Sequence, residues 1–329
     1  MTAQTHNNGL ECVLMATAAA LEYQEFPLEA QHSATRTGMT DHEAGDAADF
    51  LAEFVANQGE FSVQSDITLD FNTIDRISLI SRARELLEDQ GVVMVTNYTP
   101  HEDIDRIRYD FETVCDAYSA HLARDQRFED DKVRISPTSE RLDSKTQAEM
   151  EKPLFRLRDG SDRGIISVFR IQRLLNPVNA KSLIQHLRSD FVRSVVDGYD
   201  GRNWNFSDGY TNAYINRSMI QTRGYHMDGL CGNMKAFLYL TDVESEADGP
   251  YCYARGTHKE AELAAVNQHL NSRLGWHELD FAFFDRRRET ACLGERGTLI
   301  ISDQSGSHHA HPQAEGAERI VAVQSIMAS

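Results

Sequence analysis

The chain has 329 residues, enough for one large domain or two small ones and for a substantial core. With 41% hydrophobic and 26% charged residues it is neither a disordered chain nor a small disulfide-stapled scaffold. Its 51 acidic against 33 basic residues leave a formal charge of −18, which repels phosphate backbones and argues against a nucleic-acid partner.

The longest apolar runs, such as 92–95, are far short of the roughly 20 residues that a bilayer-spanning helix needs. No membrane partner is expected. The apolar stretch at 13–21 lies between Glu11 and Glu22, lacks the basic flank of a signal peptide, and reads as a helix or a loose arm. Five cysteines (Cys12, Cys115, Cys231, Cys252 and Cys292) are scattered without a C-x-x-C pair, which fits free thiols in the cytoplasm. Residues 1–75 are polar and turn-rich and read as an extension packed on a core domain at 76–329.

Leu79, Ala83, Leu86 and Leu87 fall at helical spacing, with Gly91 as a stop and a buried strand at 92–95. Thr99, Pro100 and Glu102 are placed as N-cap, N1 and N3 of a second helix, whose apolar face is Ile104, Ile107, Phe111, Val114 and Tyr118. Residues 124–165 are charge-dense and without period. They read as a solvated face or a lid-like insert over an active site. A further amphipathic helix is predicted over 180–198. From about 203, short runs rich in Tyr, Ile, Leu, Phe and Val alternate with Gly, Asp and Asn turns, the pattern of a β-sandwich or barrel.

The chemistry-bearing residues lie in this β-rich half. In His226-Met227-Asp228, an extended backbone places the imidazole and the carboxylate on one face. They are either two metal ligands or a surface histidine beside a turn aspartate. After a predicted strand at 298–302 come His308, His309 and His311, candidates for a third ligand. Two histidines and one carboxylate form the facial triad of non-haem Fe(II) oxygenases, which leaves open positions for a bidentate co-substrate and O₂. Arg319 heads the last apolar strand, 11 residues after His308. A buried guanidinium needs an anion, either a ligand carboxylate or a protein Asp or Glu.

Several motifs, in order, resemble the phytanoyl-CoA dioxygenase-like branch of the Fe(II)/2-oxoglutarate-dependent dioxygenases. They are the H-x-D at 226–228, Tyr239-Leu240-Thr241-Asp242, Asp248-Gly249-Pro250, Arg255-Gly256-Thr257-His258-Lys259, and the tail from Gly294 through Asp303 and His308 to Arg319. The resemblance covers about 78–123 and 205–327. It implies an α+β fold with a mainly β core, a double-stranded β-helix (jelly-roll or cupin-like) flanked by N-terminal helices. It also implies His226, Asp228 and His308 as iron ligands, the last favoured over His309 and His311 by alignment and by its offset from Arg319. Arg319 would bind the far carboxylate of 2-oxoglutarate. His258 falls in a structural turn of the family and is not counted as a ligand.

Where the family often has Ser or Thr two residues after the distal histidine, helping the arginine, this chain has Ala310, so Tyr214, Asn216 and Gln221 are candidates to share the carboxylate. Arg223, Met227, Leu230, Lys235 and Arg255 are candidate substrate-pocket residues, and Arg286, Arg287 and Arg288 could receive an anionic group or form a solvated turn. Retention of Asp228 disfavours halogenation. The implied reaction uses Fe(II), 2-oxoglutarate and O₂, and hydroxylates a small-molecule metabolite while releasing succinate and CO₂. Desaturation, epoxidation or oxidative cyclisation would use the same residues. The expected protein is a cytoplasmic monomer or homodimer. The rivals are a non-catalytic cupin-like metal binder and a metal-dependent hydrolase or isomerase, neither of which has need of Arg319.

Overall fold

Alternation along each β-strand decides which side chains face which layer. The computed structural model describes residues 67–73, 75–140, 151–158, 164–206, 208–229, 232–261, 264, 279–280 and 288–329. The chain divides into two compact units, Met1–Gln64 with Glu260–Arg288, and Ser65–Lys259 with Glu289–Ser329. The second unit carries the β core. Most of the extension at 1–75, together with Leu230, Arg286, Arg287 and parts of the charged insert, lies outside the described residues.

The strands, in chain order, are β1 (Thr68–Asp70), β2 (Val92–Thr96), β3 (Phe128–Glu129), β4 (Arg134–Ser136), β5 (Leu154–Leu157), β6 (Ile165–Phe169), β7 (Trp204–Asn205), β8 (Thr211–Arg217), β9 (Asn233–Tyr239), β10 (Tyr251–Ala254), β11 (Glu289–Cys292), β12 (Leu299–Asp303), β13 (His308–Ala310) and β14 (Glu318–Ala328). The larger sheet runs β1-β2-β12-β9-β14-β8-β6-β5-β4-β3, with β7 on β14, and the smaller runs β11-β10-β13. His226 extends the smaller sheet by an antiparallel bridge to His308. From β8 onward the chain alternates between the sheets: β8, the His226 bridge, β9, then β10 and β11 together, β12, β13 and β14. This is a jelly-roll winding, the double-stranded β-helix expected from the sequence.

The two faces of the larger sheet separate cleanly. Val93, Val95, Ala236, Leu238, Leu299, Ile301, Ile320 and Ala322 point outward into a core shared with the helices. Val92, Met94, Phe237, Tyr239, Ile300, Val321 and Val323 point inward with Tyr251 and Tyr253 from the smaller sheet. A one-residue slip in any of these strands would exchange the two sets, so register is strongly specified.

Helix α1 (Arg76–Gln90) is capped by Asp75 and ends at Gly91, whose φ of 78° is left-handed and whose N–H donates to the Leu87 carbonyl. Helix α2 (His101–Leu122) begins one residue later than the sequence predicts: Pro100 occupies the cap position, with no side-chain capping bond. Thr99 is buried, its hydroxyl has no hydrogen-bond partner, and its N–H donates to the Gly297 carbonyl. The helix expected over 180–198 is two, α3 (Pro177–Leu187) and α4 (Asp190–Val196). Ser189 divides them by accepting from the Val192 N–H, and Asn176 caps α3.

The described part of 124–165 contains short strands that the sequence did not predict. These are β3, β4 and β5, which carry the larger sheet past β6. Likewise β1, within the predicted extension, pairs in parallel with β2 and belongs to the core sheet. No helix among the described residues is long and apolar enough to cross a membrane.

Candidate metal centre and anion site

His226 and Asp228 sit in a segment that is not a regular strand, yet main-chain bonds fix it. The His226 and His308 peptides exchange N–H···O bonds of 3.0 and 2.9 Å, and the Asp228 N–H donates to the Gln304 carbonyl at 3.0 Å. These bonds bring three side chains from two distant parts of the chain together. Ligand atoms of His226, Asp228 and His308 all lie within 4.8 Å of one another, and each Nε2 is 3.9 Å from an oxygen of Asp228.

Both imidazoles are oriented from behind. His226 Nδ1 is 2.8 Å from the Gly224 carbonyl, and His308 Nδ1 is 2.9 Å from the Gly306 carbonyl. A carbonyl only accepts, so the proton sits on Nδ1 and each Nε2 offers a lone pair toward Asp228. Burial pushes His226 down to about 3, with His308 and Arg223 adding to the effect. Burial likewise pushes His308 down to about 4, against the pull of the Asp228 carboxylate. Burial opposes the charge on Asp228, but the Lys235 ammonium in direct contact outweighs it and holds the carboxyl well below the usual range. At neutral pH the cluster is two neutral imidazoles and one carboxylate, the protonation state that binds a divalent metal without losing protons.

The other candidate histidines are not in this cluster, although His309 lines the same cavity. His309 Nε2 is 3.9 Å from Glu289 and its ring packs against Tyr225, while His311 Nδ1 bonds the Pro312 carbonyl. His258 contacts the Glu88 carbonyl. His308 is thus the third member of the cluster.

The cluster opens into a cavity of about 160 Å³ between the sheets. Arg319 lines it from β14, only 5% exposed. Its Nη1 donates to the Gly249 carbonyl, and its Nε has no partner among the described residues. No acidic side chain among the described residues contacts it, so the ion-pair alternative left open by the sequence is not realised. Burial without an anion pushes the guanidinium below its ordinary value. Its register partner on β8 is Asn216, fully buried, with neither amide atom hydrogen-bonded among the described residues. An arginine fork and an unsatisfied amide, side by side on one sheet face, make a cradle for a carboxylate.

The remaining predicted residues divide. Tyr214, Arg223 and Lys235 line the cavity, as does Ala310. Gln221 is exposed and off the cavity, because the segment after β8 turns outward before reaching the His226 bridge. Met227 alternates away from its two neighbours, is buried, and is not in the cavity wall. Arg255 is buried in the turn after β10 and does not reach the cavity rim as expected. Arg288 pairs with Glu260 within the first unit.

Sequence reasoning missed Arg158, Tyr239, Tyr251 and Gln304, all in the cavity wall. Tyr239 and Tyr251 were legible in principle as inward positions of alternating strands. Arg158 follows β5, and only the pairing of β5 with β6 brings it to Ser167 and Tyr214.

No protein-family model matches the chain, and no curated protein does. Solved structures similar to it include the epimerase SnoN in complex with Fe3+, alpha ketoglutarate and nogalamycin RO, at 11% identity over 76% of this chain and 84% of that one, with a TM-score of 0.48. HygX from Streptomyces hygroscopicus with nickel and 2-oxoglutarate bound is 12% identical over 77% and 87%, with a TM-score of 0.43. The non-heme alpha ketoglutarate dependent carbocyclase SnoK from nogalamycin biosynthesis is 13% identical over 77% and 86%, with a TM-score of 0.48.

Proposed function

We propose that the protein is an Fe(II)/2-oxoglutarate-dependent oxygenase of the phytanoyl-CoA dioxygenase-like kind that hydroxylates a small-molecule metabolite. One observation carries the reading. A buried arginine with no acidic partner among the described residues opens on the same cavity as a two-histidine, one-carboxylate cluster. A metal-binding barrel without a co-substrate has no use for that arginine, and leaving it uncompensated is costly.

The residues fit both groups. His226 Nε2, His308 Nε2 and a carboxylate oxygen of Asp228 would hold iron, an N/O donor set suited to Fe(II). Arg319 and Asn216 would hold the far carboxylate of 2-oxoglutarate, with Tyr214 in the same wall. Iron, 2-oxoglutarate and O₂ together supply the oxidising power for C–H hydroxylation, with succinate and CO₂ as co-products.

The chain's own work is placement. The Gly224 and Gly306 carbonyls keep both imidazoles in the binding tautomer. Lys235 keeps Asp228 ionised. Phe237, Tyr239 and Val321 contribute apolar wall to the same cavity. The test is succinate release from 2-oxoglutarate under air with added Fe(II). The reading expects release that is lost in His226→Ala and His308→Ala variants retaining the native circular-dichroism spectrum. Release equal to wild type in both variants would refute it.

A further inference from the structure

The turn between β12 and β13 holds two of the three cluster residues. Its Gln304 carbonyl accepts from the Asp228 N–H at 3.0 Å, and its Gly306 carbonyl is 2.9 Å from His308 Nδ1. The spacing of Asp228 from His308 therefore depends on the shape of residues 304–306. The ends of the turn are tied by main-chain donors: the Gln304 N–H bonds the Asn233 carbonyl, and the Ser307 N–H bonds Thr257 Oγ1.

The middle of the turn is held by Asp303. Its Oδ1 accepts from the Ser305 N–H at 2.8 Å and from Ser305 Oγ at 2.6 Å, and its carbonyl accepts from the Gly306 N–H at 3.3 Å and from the Tyr253 hydroxyl at 2.8 Å. A carboxylate that bonds the peptide two residues on shapes a turn only while its own rotamer is fixed. The second oxygen supplies that constraint, because Asp303 Oδ2 accepts from the Tyr199 hydroxyl at 2.8 Å. Held at both oxygens, the carboxylate cannot rotate.

Tyr199 belongs to a different layer. It lies three residues past α4, is 6% exposed, and packs in the outer core with its ring centre 6.1 Å from that of Trp204. Phenylalanine would fill the same space. Burying a hydroxyl and a carboxylate there removes both from water, which only the bond between them offsets. Packing accounts for the ring of Tyr199 but not for its oxygen.

We infer that Tyr199 is a positioning residue of the metal centre, acting through Asp303 on the 304–306 turn that places Asp228 and His308. This rests on the metal-centre reading above and adds a residue that touches neither metal nor co-substrate.

The test is Co(II) binding by the full-length protein, without 2-oxoglutarate and well below its melting temperature. Chelator competition gives the affinity, and visible absorption of the bound Co(II) reports how its ligands are arranged. Tyr199→Phe should keep the native circular-dichroism spectrum, bind Co(II) about tenfold more weakly and shift its absorption. Asp303→Ala should lose at least as much. Asp303→Asn keeps an oxygen for Ser305 and an amide for Tyr199, and should retain part of the affinity. Because the two residues act along one path, the Tyr199→Phe, Asp303→Ala double variant should lose less than the sum of the single losses. If Asp303→Ala does not fold, Asp303→Asn takes its place in the cycle. Ile107→Ala, a truncation of a buried outer-core residue on α2, should lower Tm yet leave Co(II) affinity and absorption at wild-type values.

Three results would overturn the inference: wild-type Co(II) affinity and absorption in Tyr199→Phe, fully additive losses in the double variant, or the same loss in Ile107→Ala as in Tyr199→Phe. Wild-type protein that takes up no Co(II) is a separate result. It defeats the metal-centre reading, and the inference falls with it.

Discussion

Replacing Arg319 with methionine should abolish co-substrate binding without unfolding the protein, and the two effects have opposite physical origins. Charge-assisted hydrogen bonds contribute about 1.5–3 kcal/mol each, and removing one partner of a desolvated ion pair costs roughly 3–5 kcal/mol. At about 1.4 kcal/mol per decade, 2-oxoglutarate affinity should fall on the order of 10²- to 10³-fold. Stability should move the other way or hold. The substitution strips the Gly249 carbonyl of its Nη1 donor, a loss of about 1–3 kcal/mol. It also removes a cation buried without an acidic partner, whose desolvation penalty is several kcal/mol. The metal-free variant should therefore melt at or above the wild-type temperature. Calorimetric titration of 2-oxoglutarate into the anaerobic Fe(II) protein, beside a melting curve of the metal-free form, reads both quantities. Affinity within threefold of wild type would refute the argument, because it would mean that the carboxylate is held elsewhere. A fall in Tm of more than about 8 °C would show that the arginine is a structural residue.

Lys235→Met removes a positive charge that touches Asp228, so metal affinity should rise by roughly tenfold or more. Competition with a chelator measures it, and an unchanged or weakened affinity would contradict the assigned contact. Burial holds His226 at about 3 and His308 at about 4 in the folded protein, below the ordinary value of 6.5. Between those values the unfolded chain binds more protons than the folded one, so this contribution is complete above pH 6.5 and is lost as pH falls toward 4. The Tm of metal-free wild type should drop across that window more steeply than that of a His226→Gln, His308→Gln double variant; parallel curves would refute the burial of the imidazoles. A β-carbon at Gly306 would sit 1.8 Å from the Tyr253 hydroxyl. Gly306→Ala should therefore cost about 1–3 kcal/mol and displace the carbonyl that orients His308. Denaturant unfolding and metal titration should both register the change, and wild-type values in both would exclude the close approach.

Much of the fold was legible because alternation is a strong local signal. β9, β12 and β14 each show an inner and an outer set of apolar residues, and the sequence needs only those sets to place them. The proximity of His226, Asp228 and His308 was legible for a related reason, since the first two are two residues apart and His308 follows a recognisable strand. What escaped depends on contacts between distant segments. The pairing of β4 and β5 in a charge-dense stretch could not be read from periodicity, and with it went Arg158. Ser189 could continue a helix or cap a new one, and its bond to Tyr98 from another element accompanies the second choice. Thr99 looked like a cap by type, but its peptide is tied to Gly297 and the helix starts after Pro100. Gln221 and Arg255 were chosen by nearness in sequence to the motifs, and the turns that carry them face away from the cavity.

The most direct test of the central claim is anaerobic addition of Fe(II) and 2-oxoglutarate to the purified protein, followed by visible absorption. Chelation of the co-substrate by iron held at His226, Asp228 and His308 should give a weak charge-transfer band in the middle of the visible range. The band should be absent from the Arg319→Met protein at the same 2-oxoglutarate concentration. Metal uptake without any band in the wild type, at any 2-oxoglutarate concentration, would contradict the account and leave a metal-binding β-barrel of another kind.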